Sequence, residues 1–219
     1  MAGYSSRGLS ACTLILGAAR SGKSRFAETL VLESGLVPFY LATGEAGDEE
    51  MTARIAAHRV RRGSAWQTLE ESNRIEDALA THAAPGRAIL VDCLTLWLST
   101  LLLRGENIHD RVRALAAMLP RLPGSVVLVS NEVGWGIVPD NALARRFRDE
   151  AGRLHQEIAA IAQRVYLVVA GLDMLIKGDI HENTGDNRDR FSRRGKDDPA
   201  HAHAERGAKE RPSARLPDQ

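Results

Sequence analysis

Five continuous apolar runs set the rhythm of this chain: Thr13-Leu14-Ile15-Leu16, Val37-Pro38-Phe39-Tyr40-Leu41, Ala88-Ile89-Leu90-Val91, Ser125-Val126-Val127-Leu128-Val129 and Val165-Tyr166-Leu167-Val168-Val169. None alternates apolar with polar, so each reads as a parallel strand covered on both faces rather than a strand with one wet side. The segments between them carry helical signals. Ser24 to Leu30 starts one helix, which Gly35 closes, and Ile75 to Ala83 forms another, ended by Pro85-Gly86. Thr95 to Leu103 is apolar nearly all round and predicts a buried helix, while Asp110 to Leu119 predicts one stopped by Pro120. Pro139-Asp140 opens a long amphipathic helix, with Leu143, Phe147, Ala151, Leu154, Ile158 and Ile161 at roughly helical spacing. Strands alternating with helices predict a doubly wound α/β domain, spanning 11–177.

Beyond Lys177 the pattern stops. Residues 178–219 are crowded with charges of both signs and have only Ile180, Phe191 and Leu216 as large apolar side chains. Such a segment buries too little surface to offset the entropy of ordering it, so it reads as a disordered tail. His181, His201 and His203 lie in it without the spacing of a metal site. A length of 219 residues, 44% of them hydrophobic and 5% aromatic, fits one ordinary domain plus this appendage. A net charge of +1 provides no field for nucleic acid or an anionic membrane, so phosphate recognition has to be local. Cys12 and Cys93 both fall in apolar segments that read as strands, as reduced buried thiols do, which fits a cytoplasmic protein. The run Ala11 to Leu16 is too short for a signal-peptide core or a membrane span.

Gly17-Ala18-Ala19-Arg20-Ser21-Gly22-Lys23-Ser24 fits G-x-x-x-x-G-K-[ST] and sits between the first apolar run and the first helix. A loop in that position curls its backbone N–H groups around phosphate oxygens, with the positive end of the helix behind it. Gly17 and Gly22 permit the curl. Lys23 then places an ammonium between the β- and γ-phosphates, and the Ser24 hydroxyl completes the coordination of Mg²⁺. The expected ligand is a nucleoside triphosphate.

Asp92 ends the third run, at the carboxyl edge where open α/β sheets bind ligands. It fits either a Mg²⁺ ligand or a cap for the helix that follows. Asn131-Glu132-Val133-Gly134-Trp135-Gly136-Ile137-Val138-Pro139 follows another strand end, with Glu132 either a Mg²⁺ or substrate contact or a turn residue, and Trp135 either an apolar ligand cover or a lid on the core. Asp48 to Arg62 reads as a helix with acids first and bases last, which suits its dipole. Met51, Ile55, His58 and Arg62 share one face of it. His58 is therefore an interior histidine or a nucleophile. Arg59, Arg61 and Arg62 around it either hold phosphate oxygens and keep the imidazole neutral, or form a solvated helix end.

The phosphate loop, the helix carrying His58 and the Asn131-to-Pro139 stretch together resemble the bifunctional adenosylcobinamide kinase/adenosylcobinamide-phosphate guanylyltransferase family of cobalamin biosynthesis. The likeness continues through Leu143-Ala144-Arg145-Arg146-Phe147-Arg148-Asp149, Gly152-Arg153, Gln156, Val168-Val169-Ala170-Gly171 and Lys177, covering about residues 13 to 177. It implies a P-loop α/β fold related to recombinase-type ATPases, a mostly parallel sheet flanked by helices. It also implies phosphorylation of the cobinamide aminopropanol hydroxyl, then transfer of GMP from GTP to that phosphate with release of pyrophosphate. The substrates implied are adenosylcobinamide and its phosphate, with ATP or GTP and Mg²⁺, and the implied assembly is a homotrimer. His58 matches the family's guanylylated histidine, and an imidazole attacking the α-phosphorus splits one hard displacement into two. Gly17 to Ser24, Ala42-Thr43-Gly44, and Arg59, Val60, Arg61 and Arg62 match nucleotide contacts, while Glu70 and Asp92 match acidic contacts to guanine, beside the Mg²⁺ reading of Asp92. Two positions depart from the family: Gly44 stands where many relatives have Ser or Ala, and His155 where Asn is usual. The competing activities are a P-loop small-molecule kinase in which His58 is structural, and a nucleotide-dependent regulatory switch.

Overall fold

A computed structural model describes residues 9–44 and 63–179. Within them the elements run β1 (Cys12–Gly17), α1 (Lys23–Glu33), β2 (Val37–Ala42), β3 (Gln67–Glu70), α2 (Ile75–His82), β4 (Arg87–Asp92), α3 (Leu94–Leu103), α4 (Ile108–Met118), β5 (Ser125–Asn131), α5 (Ala142–Ile161), β6 (Arg164–Val169) and β7 (Leu172–Lys177). All seven strands form one sheet in the order β3-β2-β4-β5-β1-β6-β7. Every pairing is parallel except β6 with β7, a hairpin turned at Ala170-Gly171. The expected α/β class is therefore the one observed, and β1 with its phosphate loop lies inside the sheet.

The unbroken apolar runs have a direct reason. Successive side chains of a strand point to opposite faces, and here both faces are covered. Leu14, Ile89, Val91, Val126 and Leu128 pack with Ile75, Leu79, Trp97, Leu98, Val112, Leu115, Leu154 and Ile158 from α2 to α5. Their neighbours Ile15, Leu90, Val127 and Val129 pack on the other face with Ala27, Leu30 and Val31 of α1, and with Tyr40 and Trp66. Trp97 is fully buried in α3, as its all-round apolarity predicts.

Several boundaries move. Cys93 lies beyond β4 as the residue capping α3, not within a strand, and both thiols are buried and unpaired. The long helix begins at Ala142 rather than at Pro139, because the Asn141 side chain accepts hydrogen bonds from the N–H groups of Leu143 and Ala144. Leu143 is half exposed, so the buried stripe of α5 begins further along, at Ala151, Leu154 and Ile158. Strand β3 carries no continuous apolar run and β7 only the short Met174-Leu175-Ile176, and neither was expected. Among the described residues, no helix is long and apolar enough to cross a membrane. Regular structure among the described residues ends at Lys177. Of the segment 178–219, read as a disordered tail, residues 180–219 lie outside the described residues.

Candidate active site at the carboxyl edge of the sheet

The strand register collects the candidate residues at one edge of the sheet, in two rows two residues apart. Glu70, Ala42 and Asp92 stand side by side across β3, β2 and β4, and Gly17 stands beside Asn131 across β1 and β5. Residues read from five separate stretches of sequence therefore meet at the edge where a parallel sheet binds ligands.

The loop after β1 has the shape its glycines permit. Gly22 caps α1 at φ 95°, a left-handed conformation, and Arg20 is also left-handed at φ 58°. A Cβ on Gly17 would fall 2.6 Å from the Val168 carbonyl oxygen and 2.5 Å from Ser21 Oγ. The loop is internally fastened: Ser21 N–H donates to Ala18 O at 3.2 Å, and the buried Lys23 donates from Nζ to Ala18 O at 3.1 Å. It is fastened externally by Gly171 N–H donating to Ser21 O at 2.8 Å and by Glu132 N–H donating to Gly17 O at 3.0 Å. Ala18, Ala19, Arg20 and Gly22 face solvent, leaving their backbone open to an anion at the α1 N-terminus. The buried Ser21 hydroxyl has no hydrogen-bond partner among the described residues.

Asp92 is held rather than free to swing, because Tyr40 Oη donates to its Oδ2 at 2.9 Å. Thr43 is fully buried and its hydroxyl is engaged twice by the Cys93 backbone. Its side chain therefore braces the Asp92 corner, and Gly44 beside it is partly open. Glu70 is exposed at the edge. Ser24 and Asp92 are hard oxygen donors, a set that fits Mg²⁺ only when triphosphate oxygens and water complete the shell. Among the described residues, no group of three or more His, Cys, Asp or Glu could hold a metal unaided. Burial disfavours the thiolate form at both cysteines, which makes them poor nucleophiles. Burial pushes Cys12 up to about 12, against the pull of Lys177, and burial followed by the adjacent Asp92 charge raises Cys93. His58, Arg59, Val60, Arg61 and Arg62 lie outside the described residues.

Sequence reading missed two partnerships. Asn131 donates from Nδ2 to Thr95 Oγ1 at 2.8 Å, and Thr95 Oγ1 sits 3.0 Å from Cys93 Sγ. In the second, Ser130 Oγ lies 2.7 Å from His155 Nε2, and His155 Nδ1 lies 3.6 Å from Glu132 Oε2. Burial pushes the His155 imidazole below its usual range, with Glu132 pulling weakly the other way. The only advance sign of this trio was the departure at His155.

A phosphate loop on an inner strand of a mostly parallel sheet, a helix N-terminus behind it and an acid on a nearby strand end define a P-loop nucleotide-binding α/β protein. The chain belongs, more narrowly, to the cobinamide kinase / cobinamide phosphate guanyltransferase family, whose model matches residues 13–176. It is an enzyme with kinase and guanylyltransferase activities. A similar protein is the bifunctional adenosylcobalamin biosynthesis protein CobP of Pseudomonas aeruginosa, 54% identical over 168 residues, covering 76% of this chain and 97% of the relative. The bifunctional adenosylcobalamin biosynthesis protein CobU of Salmonella typhimurium is 44% identical over 179 residues, covering 75% and 98%. Among solved structures, the flagellar accessory protein FlaH of Methanocaldococcus jannaschii aligns with TM-score 0.46 and 11% identity, over 78% of this chain and 80% of that one.

Proposed function

We propose that GTP binds with its phosphates in the loop Gly17 to Ser24, and that His58 attacks its α-phosphorus to form a guanylylated intermediate. The adenosylcobinamide phosphate oxygen then displaces the histidine and takes GMP. The observation that carries the placement is the loop itself, closed by Lys23 across Ala18 O at the head of α1. The match of His58 to the family's nucleophile supports the covalent route. In this reading Lys23 and Arg59 to Arg62 absorb charge on the transferring phosphoryl groups and on pyrophosphate. Ala42, Gly44, Glu70 and Asp92 line the nucleotide beyond the loop, with Thr43 behind them. Mg²⁺ supplies charge neutralisation at the phosphates, and Ser24 and Asp92 are the residues that would hold it. In the kinase step ATP or GTP occupies the same loop and the cobinamide hydroxyl attacks the γ-phosphorus.

A homotrimer in the cytoplasm completes the reading. Leu172, Met174 and Ile176 are exposed along one side of the edge strand β7, as a subunit contact requires. Light scattering at micromolar concentration checks the trimer, and a monomer removes it. The covalent step is tested by intact-mass spectrometry after mixing with GTP and Mg²⁺. An added GMP that disappears in His58→Ala is expected, and full labelling of that variant places the nucleophile elsewhere.

A further inference from the structure

Glu132 stands at the point where the nucleotide loop meets the rest of the site. Its N–H is bonded to the carbonyl of Gly17, the first loop residue, so its backbone is fixed at the rim of the cradle. Its carboxylate is partly open, at 18% side-chain exposure. Oε1 accepts from Gly134 N–H at 2.7 Å, which sets the carboxylate's rotation. Oε2 faces His155 Nδ1 at 3.6 Å, and His155 is buried on α5 with its other ring nitrogen 2.7 Å from the fully buried Ser130 Oγ. A neutral imidazole whose Nε2 accepts from Ser130 carries its proton on Nδ1, toward Glu132. A carboxylate aimed by a histidine that is itself aimed by a hydroxyl costs buried polar groups. An ordinary turn at the surface needs only the Gly134 bond.

We propose that Glu132 is the general base of the kinase step and that His155, braced by Ser130, is its positioning residue. The acceptor's hydroxyl oxygen forms a bond to the γ-phosphorus, and the bond between that phosphorus and the β,γ-bridging oxygen breaks. The nucleoside diphosphate leaves with the electron pair, and the hydroxyl proton passes to Glu132, which later returns it to water. The segment that Glu132 opens continues into Trp135, Ile137 and Val138, three large apolar side chains exposed to solvent, a suitable flank for an acceptor with an apolar body. The second reaction has no such need, because a phosphate oxygen attacks already ionised. A base dedicated to the hydroxyl therefore separates the two activities.

The inference rests on the placement of triphosphate in the Gly17 to Ser24 loop, so Lys23→Ala is run alongside. Kinase turnover is measured with cobinamide, and guanylyltransferase turnover with cobinamide phosphate made separately. Glu132→Gln is expected to lower the kinase kcat by about 100-fold or more, the usual worth of a general base. KM for both kinase substrates should move far less, and the ratio of kinase to guanylyltransferase turnover should fall at least about tenfold. His155→Gln should lower the kinase kcat by a smaller factor, and by little more once Glu132 is already Gln, since it acts through that carboxylate. Equal losses in both activities, or a His155→Gln effect that persists in full in the double variant, overturn the proposal. Should Glu132→Gln melt early, Glu132→Asp supplies the same comparison: a shorter base displaced from its target again lowers the ratio, and an unchanged ratio overturns the role. Kinase activity retained in Lys23→Ala would instead remove the triphosphate placement itself.

Discussion

The hydroxyl of Thr43 is clamped by the backbone of Cys93, donating to its carbonyl at 2.7 Å and accepting from its N–H at 2.7 Å. Both partners are buried, and the clamp joins the carboxyl ends of β2 and β4 beside Asp92. Thr43→Val keeps the shape and deletes both bonds, leaving the buried Cys93 N–H unpaired, while the Cys93 carbonyl still accepts from the N–H groups of Leu96 and Trp97. A loss of about 1–3 kcal/mol is expected, read as a melting temperature lower by several degrees at roughly 2–4 °C per kcal/mol for a chain this size. Nucleotide affinity should fall with it, because the Asp92 corner loosens. An unaltered melting curve would mean that water takes over the clamp.

Lys23→Ala tests the cradle. Its ammonium is buried and bonded to the loop, so its removal strips a preorganised positive charge from the phosphates. Kinase turnover should drop by about 10²–10³-fold, the scale of losing one fixed charge-stabilising donor. Equilibrium binding of a fluorescent GTP analogue separates weakened binding from lost chemistry.

Gly17→Ala tests geometry without changing charge. The new methyl would meet the Val168 carbonyl, which belongs to the backbone paired with β1 and cannot rotate away as a side chain could. A destabilisation of about 1–3 kcal/mol from overpacking is expected, together with loss of triphosphate binding. Gly105→Ala is the comparison: Gly105 is left-handed at φ 66°, as Gly17 is not, and a Cβ there meets nothing within 4 Å. It should cost stability without touching nucleotide binding. Calorimetric titration of both variants checks the contrast.

The lowered pKa of His155 gives a stability trend with a definite sign. Its folded value lies below the unfolded value of about 6.5, so the unfolded chain binds more protons in the interval between them. The contribution is fully present above about pH 6.5 and is lost as pH falls through that value toward the folded pKa. His155→Gln should therefore flatten the decline in melting temperature between about pH 7.5 and pH 5.5. An identical decline in both proteins would assign the acid sensitivity to other groups.

Sequence gave access to the inner strands because burial on both faces leaves no room for polar residues, as Leu14 and Ile15 pointing into opposite cores illustrate. The same logic hid the edges. Strand β3 has neighbours on one side only, its residues are partly or wholly exposed, and Gln67-Thr68-Leu69-Glu70 carries no apolar run. Strand β7 keeps apolar residues at alternate positions that face water. At the site, the phosphate loop was legible because eight contiguous residues encode it. The Tyr40 bond to Asp92 and the Ser130–His155–Glu132 trio join residues that are distant in the chain or separated by a helix, and no local pattern marks such partners.

The bond from Gly171 to the carbonyl of Ser21 gives the chain a particular order of assembly. The phosphate loop lies near the start of the sequence, yet one of its braces sits in the β6–β7 hairpin, 150 residues later. During synthesis the N-terminal segments emerge first and begin to organise first. The cradle nevertheless lacks this support until β6 and β7 have left the ribosome and closed beside β1. Its fully braced form thus arises only on a nearly finished domain, late enough that a chain stalled before residue 171 holds the loop's sequence without its final shape.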